Sequence, residues 1–418
     1  MPSDRLEELL SRPAAARPVV LEGRWLDESP EECWVAADPS SVLEGSGDAF
    51  RELPAWLDRQ ARKYPEGAAI GFLSYELARH IEPLPLPTHP SLPDVSFAYY
   101  PRIERLSLGP ASAPAPRDVI GAESAVDFQV YRHAVERIRS YIAAGDIYQA
   151  NLTIPFRAEL GGEPPESIYR RMRCSGAPFR AFLKTPNRTI LSNSPERFFR
   201  VAGNQILTSP IKGTIARDQH DSEGSLAALL ASEKDRAENL MIVDLLRNDL
   251  GRICDYSSIR ARLWETEVLP QLIHLVSHVE GTLRPGAGIL EILGALFPCG
   301  SITGAPKIRA MEILTEIEQT PRGVSMGALG IIRSASGPDR CRMDFNVAIR
   351  TMIIEEGKAL FNVGGGIVYD SDAVSEYKEV TLKAQPLFEA LGQSKVLNSH
   401  QSSVISKDEG PEELKTDD

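Results

Sequence analysis

The chain has 418 residues, 42% hydrophobic and 25% charged, a balance that can bury a large core over a length suited to two or three domains. A net charge of -12 with no Lys/Arg run excludes a nucleic-acid binder, and a small anionic ligand would need local cations or a metal to offset the field. Cys33, Cys174, Cys254, Cys299 and Cys341 are widely spaced and form no Cys-x-x-Cys pair, so reduced thiols are expected rather than a disulfide frame or zinc site. The first 17 residues are polar and charged, unlike a signal peptide, and no run of about 18 apolar residues occurs, so a cytoplasmic protein is expected.

In chain order, residues 1–108 read as a mixed α/β segment packing on the rest. A helical stretch around Pro54–Lys63 is flanked by strand-like Ala68–Ile70 and Phe97–Tyr100, while Pro83–Pro93 cannot be regular. The Pro-rich run from Gly109 to Pro116 opens an expected linker over 109–124. The main domain, 125–394, starts with an amphipathic helix: Phe128, Tyr131, Val135, Ile138 and Ile142 recur at helical spacing, Asp127 is placed to cap it and Gly145 to stop it. A strand is expected over Ile147–Ile154, a helix over Leu226–Arg247, and strands near Leu263–Leu269 and Leu275–Val279. Helices follow at Gly288–Leu296 and Pro306–Ile317, then strands at Gly327–Arg333, Phe345–Ile354 and Leu360–Val363, then a last helix, Ser375–Ala390. Residues 395–418 are polar and acidic and are expected to be a disordered tail. The class is α+β.

Chemistry-bearing residues cluster in a few segments. Asp235 and Glu238 lie three apart, as do Glu376 and Glu379, so each pair shares a helix face; four carboxylates from two helices suit a hard cation such as Mg²⁺, although the same spacing also describes a solvated face. Val363-Gly-Gly-Gly366 could bring backbone N–H groups up to a carboxylate or simply mark a tight turn, with Lys383 one helical turn beyond Glu379. Gly300-Ser-Ile-Thr-Gly-Ala-Pro-Lys307 lacks the pattern of a nucleotide-binding loop. Arg350 ends an apolar strand and could clamp a carboxylate. Lys212, between an apolar residue and a glycine, would become nucleophilic if desolvated, and Glu196 could act as acid or base. His274 sits in an apolar run, where a satisfied core imidazole is the simpler reading.

Taken together, the runs Gly145–Thr153, Ser194–Phe198, Pro210–Thr214, Lys234–Asp249, Gly300–Lys307 and Gly364–Ser371, continuing into the Glu376/Glu379 helix, resemble the chorismate-utilising enzymes. The resemblance implies two orthogonally packed sheets, wrapped by helices, around a chorismate site. It implies Mg²⁺ on Glu238 and Glu379, with Asp235 and Glu376 supporting. Gly365, Gly366 and Lys383 would hold the ring carboxylate, Thr303 the ring and Arg350 the enolpyruvyl carboxylate, with His274 lining the reacting face. Anthranilate-forming members carry alanine where Lys212 stands, and isochorismate-forming members a lysine where Gln149 stands. Gln149 with Lys212 therefore resembles the members that aminate chorismate at C4, Lys212 acting as nucleophile and Glu196 as acid. The alternatives are an anthranilate-forming enzyme and an inactive chorismate-binding subunit. No glutaminase or lyase segment is recognised, so ammonia is expected from a glutamine amidotransferase subunit. Tryptophan-responsive members carry Leu-Leu-Glu-Ser where this chain reads Val20-Leu-Glu-Gly23, which argues against tryptophan control.

Overall fold

Short apolar runs whose residues are buried on both faces set the architecture. In β1 (Val19–Gly23), Val20 points into one core while Val19 and Leu21 point into another. A strand that alternates between two cores must be covered on both sides. The computed structural model describes residues 2–26, 31–109, 111, 114–115, 120–217, 221–268, 272–318, 320–333 and 342–393. After α1 (Pro2–Leu10) and β1 come β2 (Glu32–Ala36), β3 (Ser41–Gly45), α2 (Gly47–Lys63), β4 (Ala68–Leu73), β5 (Val95–Tyr100), β6 (Glu104–Ser107) and β7 (Ile120–Ser124). The middle of the chain supplies α3 (Phe128–Ala143), β8 (Gln149–Glu159), α4 (Pro165–Arg173), β9 (Phe179–Lys184), β10 (Thr189–Ser194), β11 (Arg197–Ala202), β12 (Gln205–Ser209), β13 (Ile211–Ala216), α5 (Ser222–Ala231) and α6 (Glu233–Gly251). The rest comprises β14 (Arg260–Val268), β15 (Leu272–Thr282), α7 (Ile289–Leu296), β16 (Gly304–Ala305), α8 (Lys307–Ile317), β17 (Ala328–Arg333), β18 (Arg342–Val347), β19 (Thr351–Glu355), β20 (Lys358–Ile367) and α9 (Ala373–Ala390).

Among the described residues the strands form two antiparallel sheets. One runs β16-β8-β20-β19-β10-β9-β1-β2-β6, with β7 also on β8; the other runs β13-β15-β12-β11-β18-β17-β4-β5-β3, with β14 also on β15. Val19, Leu21, Phe179, Ala181 and Leu183 of the first sheet meet Ala68, Ile70, Phe72, Leu329 and Ile331 of the second in a shared apolar core. The first sheet's outer face is covered by α1, α3, α4, α8 and α9, the second's by α2, α6 and α7. This is an α+β fold of two sheets with helices outside. No helix among the described residues is long and apolar enough to cross a membrane.

Several expectations change. The first 108 residues do not stand apart: β1, β2 and β6 complete one sheet, and β3, β4 and β5 the other. The expected linker ends in a strand, β7, paired with β8. The helix expected over Leu226–Arg247 is two helices, divided at Ser232, whose hydroxyl caps α6 by accepting from Asp235 N at 3.3 Å. The strand expected over Phe345–Ile354 breaks into β18 and β19, with Arg350 between them at φ 48°. The α3 helix begins as expected, with the Asp127 carboxylate accepting from Gln129 N. The expected tail and Cys341 lie outside the described residues. At Gly23, φ is +108° and a Cβ would overlap the Pro178 carbonyl, so serine does not fit there. Beside it, buried Glu22 accepts from Arg173 Nε and Arg180, each at 2.7 Å.

Candidate active site

At the β16-β8 end of one sheet and the β13 end of the other lie buried polar side chains, among them Gln149, Asn151, Glu196, His274 and Thr303. The glycine run 364–366 lies within β20, not in a turn, with Gly364, Gly365 and Gly366 opposite Thr153, Leu152 and Asn151 of β8. Its glycines are needed for close approach. A Cβ on Gly366 would overlap the Gln149 amide and lie 3.7 Å from Lys212 Nζ, and one on Gly365 would lie 3.5 Å from Glu376 Oε2. Gln149 of the first sheet and Lys212 of the second therefore meet across Gly366. Gln149 is 1% exposed and its Oε1 has no hydrogen-bond partner among the described residues; the same holds for Nδ2 of buried Asn151. Thr303 is fully buried, its hydroxyl within reach of the carbonyls of Cys299 (3.3 Å) and Gly300 (3.1 Å), so it serves its own turn.

Several titratable groups here have altered proton affinity. Burial pushes the Glu196 carboxyl up to about 7, against the lowering influence of Ser301, Lys212 and the Ile211 N–H, and its Oε1 lacks a partner. Burial lowers the Lys212 amine, the nearby Lys383 charge lowers it further, and Glu238, Glu196 and Glu379 oppose. His274 is held at about 4 by burial and then by the charge of Arg350. Its Nδ1 lies 2.8 Å from Thr214 Oγ1 while Nε2 has no partner, so the imidazole is neutral and half-satisfied. Burial lowers the Arg350 guanidinium, which has no carboxylate partner among the described residues. The desolvated Arg350 guanidinium is a potential partner for an anion, while the open His274 edge and the unpaired Gln149 and Glu196 oxygens are buried polar groups left for a ligand to satisfy. Because His274 titrates near 4, its ring should show no protonation step between pH 5.5 and 8. Imidazole nitrogen NMR of the free protein checks this, and a step near 6.5 would contradict the burial assigned to it.

The carboxylates arrive from α6 and α9, whose Glu238 and Glu379 both act on the charge of Lys212. Buried Glu376 accepts from Ser371 Oγ at 2.7 Å; burial and then Glu379 raise its pKa, with Ser371 opposing. Glu379 is half-exposed, 2.6 Å from Lys383 Nζ; burial raises its pKa, but Lys383, Lys234 and Lys212 together lower it. Glu238 is 4.0 Å from Lys234. Asp235 is half-buried beside Gly213 of β13. Among the described residues, no three acidic, His or Cys side chains are already gathered as a metal cluster. The donor set is nonetheless all oxygen, comes from two helices flanking one space, and includes a carboxylate pair whose repulsion a cation would relieve, which fits Mg²⁺ chemically.

This arrangement can be set against known proteins. A profile described as chorismate binding enzyme matches residues 25–389. The chain belongs to the chorismate-binding enzyme family. Aminodeoxychorismate synthase component 1 of Bacillus subtilis is 34% identical, with 84% of this chain and 83% of that one covered. Anthranilate synthase component 1 of Streptomyces coelicolor is 33% identical, covering 86% of this chain and 80% of that one. The crystal structure of anthranilate synthase component I from Streptococcus pneumoniae superimposes with a TM-score of 0.73 at 28% identity, covering 85% of this chain and 92% of that one.

For a chorismate-binding enzyme, three residues at this site carried no individual signal in the sequence. Ser301 lies inside the Gly300–Lys307 run, yet only the fold places it against Glu196. Asn151 lies inside the Gly145–Thr153 run, and Thr214, the partner of His274, ends another. A separate cavity of about 360 Å³ lies among α6, α7 and α8, and none of the expected site residues lines it.

Proposed function

We propose that this chorismate-binding enzyme aminates chorismate at C4, giving 4-amino-4-deoxychorismate, with Lys212 as covalent nucleophile. The observation that carries the reading is Lys212 itself. Its amine is desolvated, lies across Gly366 from Gln149, and acts on the same space as Glu196. In the proposed sequence the Lys212 amine forms a bond to C2 of chorismate, both conjugated ring double bonds shift along the ring toward C4, and the C4–O bond breaks. Glu196 gives its proton to the departing hydroxyl, which leaves as water. Ammonia then bonds to C4, both double bonds shift back, and the C2–N bond to Lys212 breaks to restore the amine. Arg350 pairs with the enolpyruvyl carboxylate, His274 lines the reacting face, Thr303 backs the ring, and Gly365, Gly366 and Lys383 bound the ring carboxylate. Glu238 and Glu379, supported by Asp235 and Glu376, would hold Mg²⁺, which supplies charge neutralisation for the ring carboxylate when bound.

Ammonia would come from a glutamine amidotransferase subunit, in line with the word component in the names of the B. subtilis and Escherichia coli relatives. The near-equal likeness to an anthranilate synthase supports the second reading, 2-aminobenzoate formation. Product analysis separates the two. With chorismate, ammonium and Mg²⁺, the purified chain should yield 4-amino-4-deoxychorismate, and chelation by EDTA should remove turnover that Mg²⁺ restores. 2-Aminobenzoate as product would sink the C4 assignment, and turnover indifferent to EDTA would sink the metal role.

A further inference from the structure

Behind the site lies a buried charged hub that touches no group assigned to the reaction. Arg322, 3% exposed, follows α8 and precedes β17. Its guanidinium makes four hydrogen bonds. Nε donates to Glu318 Oε2 at 2.7 Å and Nη2 to Glu318 Oε1 at 2.8 Å; Nη1 donates to the Ile302 carbonyl at 2.8 Å and Nη2 to the Asn151 carbonyl at 2.7 Å. Its face stacks over Tyr75, 4.5 Å from the ring centroid. Glu318 also accepts from Thr153 N at 2.8 Å, while the Arg322 backbone N–H donates to Glu76 and its carbonyl accepts from Asn362 Nδ2.

The two carbonyls it grips define its role. Ile302 stands between Ser301, which faces Glu196, and Thr303; Asn151 stands two residues after Gln149 in β8. Asn151 N donates to the Thr303 carbonyl at 2.7 Å, and β16 pairs Gly304 with Ala150 and Ala305 with Gln149. The guanidinium therefore ties the short Gly300–Ala305 segment to β8 where both turn side chains into the site. A segment of two-residue pairing has little register of its own and needs such a tie.

We infer that Arg322, oriented by Glu318, is a positioning residue of this enzyme that sets Ser301 and Thr303 against Gln149 and Asn151 without touching substrate. Lysine cannot replace it, because one ammonium cannot span two carbonyls and a carboxylate. The inference rests on the proposed site, so the test reads position as well as turnover.

In Arg322→Lys, amide hydrogen exchange should rise in peptides spanning 299–306 and 147–153, and stay at the wild-type level in β10. With chorismate, ammonium and Mg²⁺, kcat should fall roughly 10²-fold while KM for chorismate moves less than about threefold. Glu318→Gln, which leaves the guanidinium in place, should show the same pattern at about tenfold, and it decides the matter if the lysine variant does not fold. Unchanged exchange in both peptides overturns the inference. So does a kcat per folded molecule within about twofold of wild type, a rise in KM alone, or exchange that rises evenly through the chain. A wild-type protein that does not turn chorismate over defeats the proposed function instead, and the exchange measurement still judges Arg322.

Discussion

Replacing Lys212 with alanine is expected to lower C4 amination of chorismate by roughly 10³-fold or more, leaving only the contribution of binding and electrostatics. The size of the effect follows from what the amine does in the proposed sequence: without it no bond forms at C2, and the C4 hydroxyl must leave unassisted. The amine is suited to this because burial and the like charge of Lys383 both favour its neutral form. Glu196, Glu238 and Glu379 pull the other way, so the site balances nucleophilicity against cation binding. Intact-mass analysis supplies the mechanistic readout. Wild-type protein mixed with chorismate and Mg²⁺, but no ammonium, should gain the mass of one chorismate less one water, and Lys212→Ala should gain nothing. If the alanine variant keeps amination within tenfold of wild type, or forms the adduct as well, Lys212 is not the nucleophile.

How much of this was legible beforehand depended on how local the signal was. Asp127 and the spacing of Phe128, Tyr131, Val135 and Ile138 specify α3 within a few residues, and the structure keeps cap and face. Gly364–Gly366 could be read as a turn because glycine permits one; pairing with β8, some 200 residues earlier in the chain, makes it strand, and no local pattern reports that partner. The same nonlocality hid β1, which pairs with β9, and hid the partner of the legible strand β4, which pairs with β17. Arg350 was visible as the end of an apolar run, but the left-handed backbone that separates β18 from β19 at that point was not. His274 shows both sides of its reading, with a 1% exposed imidazole that is satisfied at Nδ1 and left open at Nε2. The four metal-site candidates were legible as two helical pairs, whereas their engagement with Lys383, Lys234 and Ser371 needed coordinates.

Glu196→Gln is expected to lower the rate of Lys212 adduct formation by 10²- to 10⁴-fold, the usual worth of a positioned general acid. The wild-type rate should also fall as pH rises through about 7, because the acid works only while protonated and burial holds its carboxyl at about 7. The variant's residual rate should lack that descending limb. The same group leaves a mark on stability whose sign is fixed. A carboxyl whose native pKa stands above its unfolded value binds more protons folded than unfolded, so stability falls as pH rises through the window from about 4.5 to about 7. The full loss is on the order of 3 kcal/mol, present above that window and absent below it. Urea unfolding at pH 5 and pH 8 should therefore show a smaller difference for Glu196→Gln than for wild type. If both proteins lose stability equally between those pH values, and the wild-type descending limb survives in the variant, the proton at this site is not carried by Glu196.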